Sequence, residues 1–316
     1  VPTLRELRRR IRTVRSISQI TRAMEAVSAS KMRRAQEMTL ASRPYSQKAW
    51  EVLVHLAHQA EASALLHPLL EVRPVHRVLL VLITADRGLC GAYNDNIIRL
   101  AFRFAAVSRA PVAFLTVGRK GRDAVARVRG ALIADFSPMP RWPRFADVRP
   151  IARLAMEEFL KGSVDEVYVA YTDFINTMVQ RPRVRRLLPL RLTGAYEPAV
   201  PEAVERLDTR AVANKTFIYE PDPAQLLEVI LPRFVELQLY QAVLESLASE
   251  HSARMVAMRN ATENAENLIY TLTLSYNKAR QQSITSEMLD IAGGAEAMRQ
   301  AARAQIQARV RTPAGR

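Results

Sequence analysis

The chain has 316 residues, 49% hydrophobic and 24% charged, so a sizeable core is expected, and no apolar run approaches the ~20 residues of a membrane span. One cysteine excludes an intrachain disulfide and a cysteine-cluster metal site, and fits a reducing compartment. The net charge is +15, of which residues 1–50 carry +9 and residues 299–316 carry +5, so the basic surface belongs to the ends.

Residues 1–62 predict one long helix. Thr3 and Glu6 form a capping box. Apolar residues recur at Leu4, Leu7, Ile11, Val14, Ile17, Ile20, Met24 and Val27, in steps of three and four. Two three-residue steps follow Val14, so the heptad phase slips and the seam is expected to wander. Pro44 is a candidate bend. A helix of this length reaches roughly 80 Å, too long for one globular domain to bury.

Residues 75–223 change character. Segments 77–85, 111–118, 131–136 and 166–174 predict short buried strands, with 215–219 a weaker candidate. Helical patterns fill 94–107, 120–128 and 151–161, and the proline-rich stretch 138–150 predicts an irregular loop. Strand–helix alternation indicates an inserted Rossmann-like α/β domain with a largely parallel sheet. Residues 224–298 return to helix, started by Pro221 and Pro223 and kinked at Pro232. Residues 299–316 form a basic extension, helical to about Val310, with a frayed end as the plain alternative. The expected fold class is thus α/β: a long antiparallel coiled coil of N- and C-terminal helices carrying the inserted domain.

Several stretches suggest chemistry. Thr84 to Asn94 read TADRGLCGAYN, a strand running into a glycine turn. Asp86, Arg87 and Cys90 could build an active site, but neither phosphate-binding fingerprint is met, and a turn whose glycines permit close backbone approach is the simpler reading. Residues 118–123, GRKGRD, read as an exposed basic turn. His55, His58, His67 and His76 lack metal-ligand spacing and read as solvent-facing. The arginine-rich first helix leaves a basic coiled-coil nucleic-acid binder as an alternative, although residues 1–44 lack the aromatics of a single-strand reader.

Four blocks in order carry a resemblance: ITRAMEAVSASKMRRAQ (20–36), TADRGLCGAYN (84–94), FINTMVQRPRVRRLLPL (174–190), and ASEHSARMVAMRNATENA (248–265) with YNKARQQSITSEMLDIAGGA (276–295). Together they resemble the gamma subunit of the F-type ATP synthase. The resemblance implies the central-stalk rotor of a proton-translocating enzyme, coupling c-ring rotation to ATP turnover on beta subunits. It implies a non-catalytic chain, single in a hetero-oligomer with the alpha and beta subunits of the hexamer, the epsilon subunit and the c-ring, without nucleic acid, cofactor or metal. It places the chain peripherally at the cytoplasmic face of a bacterial plasma membrane rather than, in mature form, on the mitochondrial matrix side. Carried over by motif, Met24, Arg87, Gly88, Cys90, Arg254, Arg280, Gln281, Thr285 and Glu287 are interface residues toward the alpha/beta ring.

Overall fold

The computed structural model describes residues 3–60, 67–190 and 223–311. The expected strand at 215–219 and the side chains of His55 and His58 lie outside them. Two compact units emerge, Val1–Arg22 with Asn260–Arg316, and Ala23–Arg259. Helices α1 (Leu4–Ala60) and α5 (Pro223–Arg311) contribute to both. Pro44 and Pro232 lie inside these helices, and α5 continues through the basic extension to Arg311.

In the first unit α1 and α5 pair antiparallel. The capping box forms, Glu6 N donating to Thr3 Oγ1 (3.3 Å) and Thr3 N to Glu6 Oε2 (3.0 Å). Arg8 donates to Tyr276 Oη at 2.6 Å, and Arg22 pairs with Glu266. The sequence stripe is corrected here. The covered positions are Leu4, Leu7, Ile11, Val14, Ser18 and Thr21, an unbroken heptad, while Ile17 and Ile20 are 46% and 57% exposed. Thr262, Ala265, Ile269, Leu272, Tyr276 and Ala279 repeat that spacing on α5, and Leu268 is turned outward. A steady 3.5-residue repeat is the pattern of a left-handed supercoil. The phase holds because small hydroxyl residues occupy the seam where the apolar stripe drifts off it.

The second unit is built on a five-stranded sheet. Its elements are β1 (Val78–Ile83), α2 (Tyr93–Val107), β2 (Val112–Val117), α3 (Arg119–Arg127), β3 (Ala131–Phe136), α4 (Phe145–Leu160), β4 (Glu166–Phe174) and β5 (Gln180–Leu188). The strand order is β3-β2-β1-β4-β5. All pairs are parallel except β4 with β5. Central β1 is buried on both faces, which explains its unbroken apolar sequence. Leu79, Val81 and Ile83 join α4 (Ile151, Phe159) and α5 (Leu231, Phe234) in one core; Leu80 and Leu82 join Ile97 of α2 and Val125 of α3 in another. Leu53 of α1 belongs to the first core.

Three expectations change. Strand β3, expected buried, is a half-exposed edge. Helix α4 begins at Phe145 and carries Pro150, so the irregular proline stretch is shorter than expected. Edge strand β5 was missed because its sequence, QRPRVRRLL, is basic and contains a proline.

Helix–strand geometry at the candidate interface

In an open α/β sheet the ligand crevice lies beyond the carboxyl ends of the strands, where the strand order reverses. Here that point lies between β1 and β4. The glycine turn after β1 stands on one side and the end of β4 on the other. Helix α5 itself fills the crevice.

The turn is held from below. Asn94 Oδ1 accepts from Ala85 N at 3.0 Å, and Asn94 Nδ2 donates to Cys90 Sγ at 3.1 Å. Cys90 is only 2% exposed, and burial pushes its thiol pKa up. A thiol held protonated is a poor nucleophile. Asp86 is equally committed: its carboxylate accepts from Arg119 N (3.0 Å) at the start of α3 and from Met139 N (3.1 Å). Of the alternative active site, Asp86 and Cys90 therefore brace the turn, while Arg87 is exposed. The exposed residues of the turn are Arg87, Gly88, Leu89, Gly91 and Ala92.

The two turn glycines differ. Gly91 has φ +56°, a conformation that favours glycine, and a Cβ there would meet Ala257 of α5 at an ordinary 3.8 Å. A Cβ on Gly88 would meet nothing within 4 Å. Close approach, expected of both, is demanded instead at Gly118, where φ is +97° and a Cβ would lie 2.2 Å from Thr84 O. With Gly121 also buried, GRKGRD is the tightly packed start of α3 rather than a wholly exposed basic turn.

Arg254 links the turn to the helix. Its guanidinium donates to Glu250 Oε1 at 2.7 Å and to Gly88 O at 3.3 Å. It also lies 3.2 Å from His251 Nδ1, and since a guanidinium only donates, that nitrogen accepts and the ring is neutral. Burial, reinforced by Arg254, Lys31 and Arg141, lowers the His251 pKa to about 3. Burial raises the Glu250 carboxyl, with Arg254 opposing it, and burial together with Arg141 lowers Lys31. Trp142 packs edge-on to His251, and Arg34 lies over its indole at 4.7 Å. The result is a cationic surface around the half-buried Glu250 carboxylate. Sequence reading missed Lys31, Glu250 and His251, whose only signal was their place in the recognised blocks.

A second set of contacts seats α5 on the sheet. Tyr93 Oη donates to Ser246 O at 3.1 Å. Thr172 N donates to Ser246 Oγ at 3.1 Å, and Ser249 Oγ donates to Thr172 O at 3.1 Å. Ser252 Oγ donates to Thr177 O at 2.7 Å and accepts from Gln180 Nε2 at 3.2 Å.

The remaining expected residues are placed as follows. Met24 is half-buried on α1. Arg280, Gln281, Thr285 and Glu287 are exposed on α5, with Thr285 Oγ1 donating to Gln281 O (2.9 Å) and Ser283 Oγ to Glu287 (3.3 Å). His67 caps a short 3-10 turn, accepting from Leu69 N at 3.1 Å, and is half-buried rather than solvent-facing. Among the described residues no helix is long and apolar enough to cross a membrane.

A family model described as ATP synthase matches residues 3–298. ATP synthase gamma chains from Dehalococcoides mccartyi (strain CBDB1) and Roseiflexus castenholzii are 48% and 49% identical over 295 and 302 residues. These matches cover 93% and 94% of this chain and 99% of each relative. The chain belongs to the ATP synthase gamma-chain family. Solved structures agree at the level of fold. The Euglena gracilis mitochondrial ATP synthase rotor matches with TM-score 0.61 at 20% identity, covering 89% of this chain and 98% of that one. The central stalk and c-ring structure from Tetrahymena thermophila gives 0.54 at 25% identity, covering 77% and 99%. As a gamma chain the protein is one subunit of a larger complex, and its residues 299–311 extend α5 past the part that the family model matches.

Proposed function

We propose that this gamma chain is the central-stalk rotor of a proton-translocating F-type ATP synthase, coupling c-ring rotation to ATP synthesis and hydrolysis on beta subunits. The carrying observation is the occupied crevice: where a doubly wound domain would bind a ligand, this one grips its own helix α5. Such a domain is built to hold a shaft, and the chain is itself non-catalytic. Residues 1–62 and 224–298 supply the shaft helices, 75–223 the domain that takes up torque, and 299–316 the extension.

The chain works as a single copy with the alpha and beta subunits of the hexamer, the epsilon subunit and the c-ring. Bacterial gamma chains as its relatives support a peripheral place on the cytoplasmic face of the plasma membrane. Met24 faces the ring from α1, and Arg87, Gly88 and Arg254 face it at the glycine turn, with Cys90 bracing that turn from beneath. Arg280, Gln281, Thr285 and Glu287 meet the ring further along α5. Exposed polar and charged contacts suit a turning shaft because each is weak enough to exchange. The test is co-expression with alpha and beta subunits of a close relative: one copy of this chain per hexamer is expected, and ATPase activity that never requires it would overturn the reading.

A further inference from the structure

Parallel pairing of β1 with β4 ends at Leu82 and Ala170, because β1 leaves the sheet for the glycine turn. Strand β4 runs on, and its Thr172 has lost a neighbour on that side. On the other side Thr172 faces Pro182 of β5. Its N–H and C=O point away from Pro182 and are both taken by α5, the N–H by Ser246 and the C=O by Ser249. Two hydroxyls three residues apart thus do what an adjacent strand would do. Ser252, three residues further, binds Thr177 of the β4–β5 turn and Gln180 at the start of β5. All three serines are buried, and all lie on one face of the helix.

A hydrophobic contact tolerates rotation of a helix about its own axis; these hydrogen bonds do not, because turning or sliding α5 by one residue would strand buried backbone groups at Thr172. We propose that Ser246, Ser249 and Ser252 are positioning residues that lock the rotational phase and axial register of α5 on the sheet, so that torque on the α/β domain reaches the shaft without slip. The inference rests on the rotor reading above.

The experiment uses the assembled complex in sealed vesicles, recording ATP hydrolysis and ATP-driven proton uptake together. The triple variant Ser246→Ala, Ser249→Ala, Ser252→Ala keeps most of its hydrolysis but pumps fewer protons per ATP. Ser246→Thr, which retains the hydroxyl, restores coupling in the otherwise wild-type chain relative to Ser246→Ala. Thr271→Ala serves as control, since that hydroxyl donates only to Asn267 O of its own helix, and it leaves the ratio unchanged. Amide exchange on the full chain provides a readout independent of assembly: Thr172 N–H exchanges about fivefold faster in Ser246→Ala. An unchanged proton-to-ATP ratio in the triple variant, or an unchanged Thr172 exchange rate, overturns the proposal. Failure of the rotor reading would instead show in the wild-type chain, as absence of coupled pumping.

Discussion

Thr21 of α1 and Thr262 of α5 meet inside the helix pair with their hydroxyl oxygens 2.7 Å apart, both residues buried. Thr21 Oγ1 also donates to Ser18 O at 3.1 Å. A paired polar contact in the seam favours one register, because any shift breaks the hydroxyl–hydroxyl bond. Thr21→Val alone and Thr262→Val alone are each expected to lower stability by about 1–3 kcal/mol. The double variant should recover most of that loss, since both hydroxyls go together. Denaturant unfolding of the four chains measures the coupling; additive losses would contradict the pairing.

The three glycines at the turn and at α3 should respond in a fixed order. Gly88→Ala is expected within about 0.5 kcal/mol of wild type, because open space surrounds it. Gly91→Ala should cost about 1–2 kcal/mol for its φ of +56°. Gly118→Ala should cost more than about 3 kcal/mol, with a Cβ 2.2 Å from Thr84 O. Thermal unfolding ranks them, and a severe Gly88 variant would contradict the geometry.

Arg254→Ala leaves the half-buried Glu250 carboxylate without its guanidinium and Gly88 O without its donor. A loss of about 3 kcal/mol in stability is expected, together with a further rise in the Glu250 pKa. Arg254→Lys should recover only part, since a single ammonium nitrogen lacks the two separated nitrogens with which the guanidinium reaches the two acceptors. Carboxyl titration by NMR and unfolding midpoints check both expectations.

The neutral His251 makes the chain acid-sensitive. Its folded pKa of about 3 lies below the ordinary 6.5, so between those values the unfolded chain binds a proton that the folded chain refuses. Stability therefore falls as pH drops below 6.5, by up to about 2 kcal/mol between pH 6.5 and 5. The groups around it, Arg254, Lys31 and Arg141, are all cationic and act in the same direction. Glu250 contributes with the opposite sign: its raised pKa stabilises the fold at low pH and that contribution is lost as pH rises through the raised value. The difference between wild type and His251→Gln isolates the histidine. The variant should show a flatter stability profile from pH 6.5 to 5, and parallel profiles would contradict burial of the neutral ring.

Much of this fold was readable from residue spacing. The apolar run of β1, the alternation that follows it and the long flanking helices all carry strong periodic signals. What failed did so for identifiable reasons. Apolarity pointed to Ile17 and Ile20 as the seam, whereas a close helix pair selected the smaller Ser18 and Thr21 beside them. Strand β5 was hidden because an edge strand needs no apolar alternation and tolerates Pro182. The glycine turn was visible, but not its partner. Arg254 and Gly88 lie 166 positions apart, and only the topology of the sheet brings them together. The serines at 246, 249 and 252 have a legible helical spacing, yet nothing in a sequence says that a strand backbone waits opposite them.

The central claim is that this chain turns as a shaft. Its most direct measurement is single-molecule rotation of the complex assembled with alpha and beta subunits, immobilised through beta, with a probe attached at exposed Arg99 of α2 through Arg99→Cys. Cys90 is buried and should stay unlabelled. The account predicts unidirectional stepping of the probe, driven by ATP, with three equal dwells per turn. ATP hydrolysis at an unchanged rate with the probe stationary would contradict it.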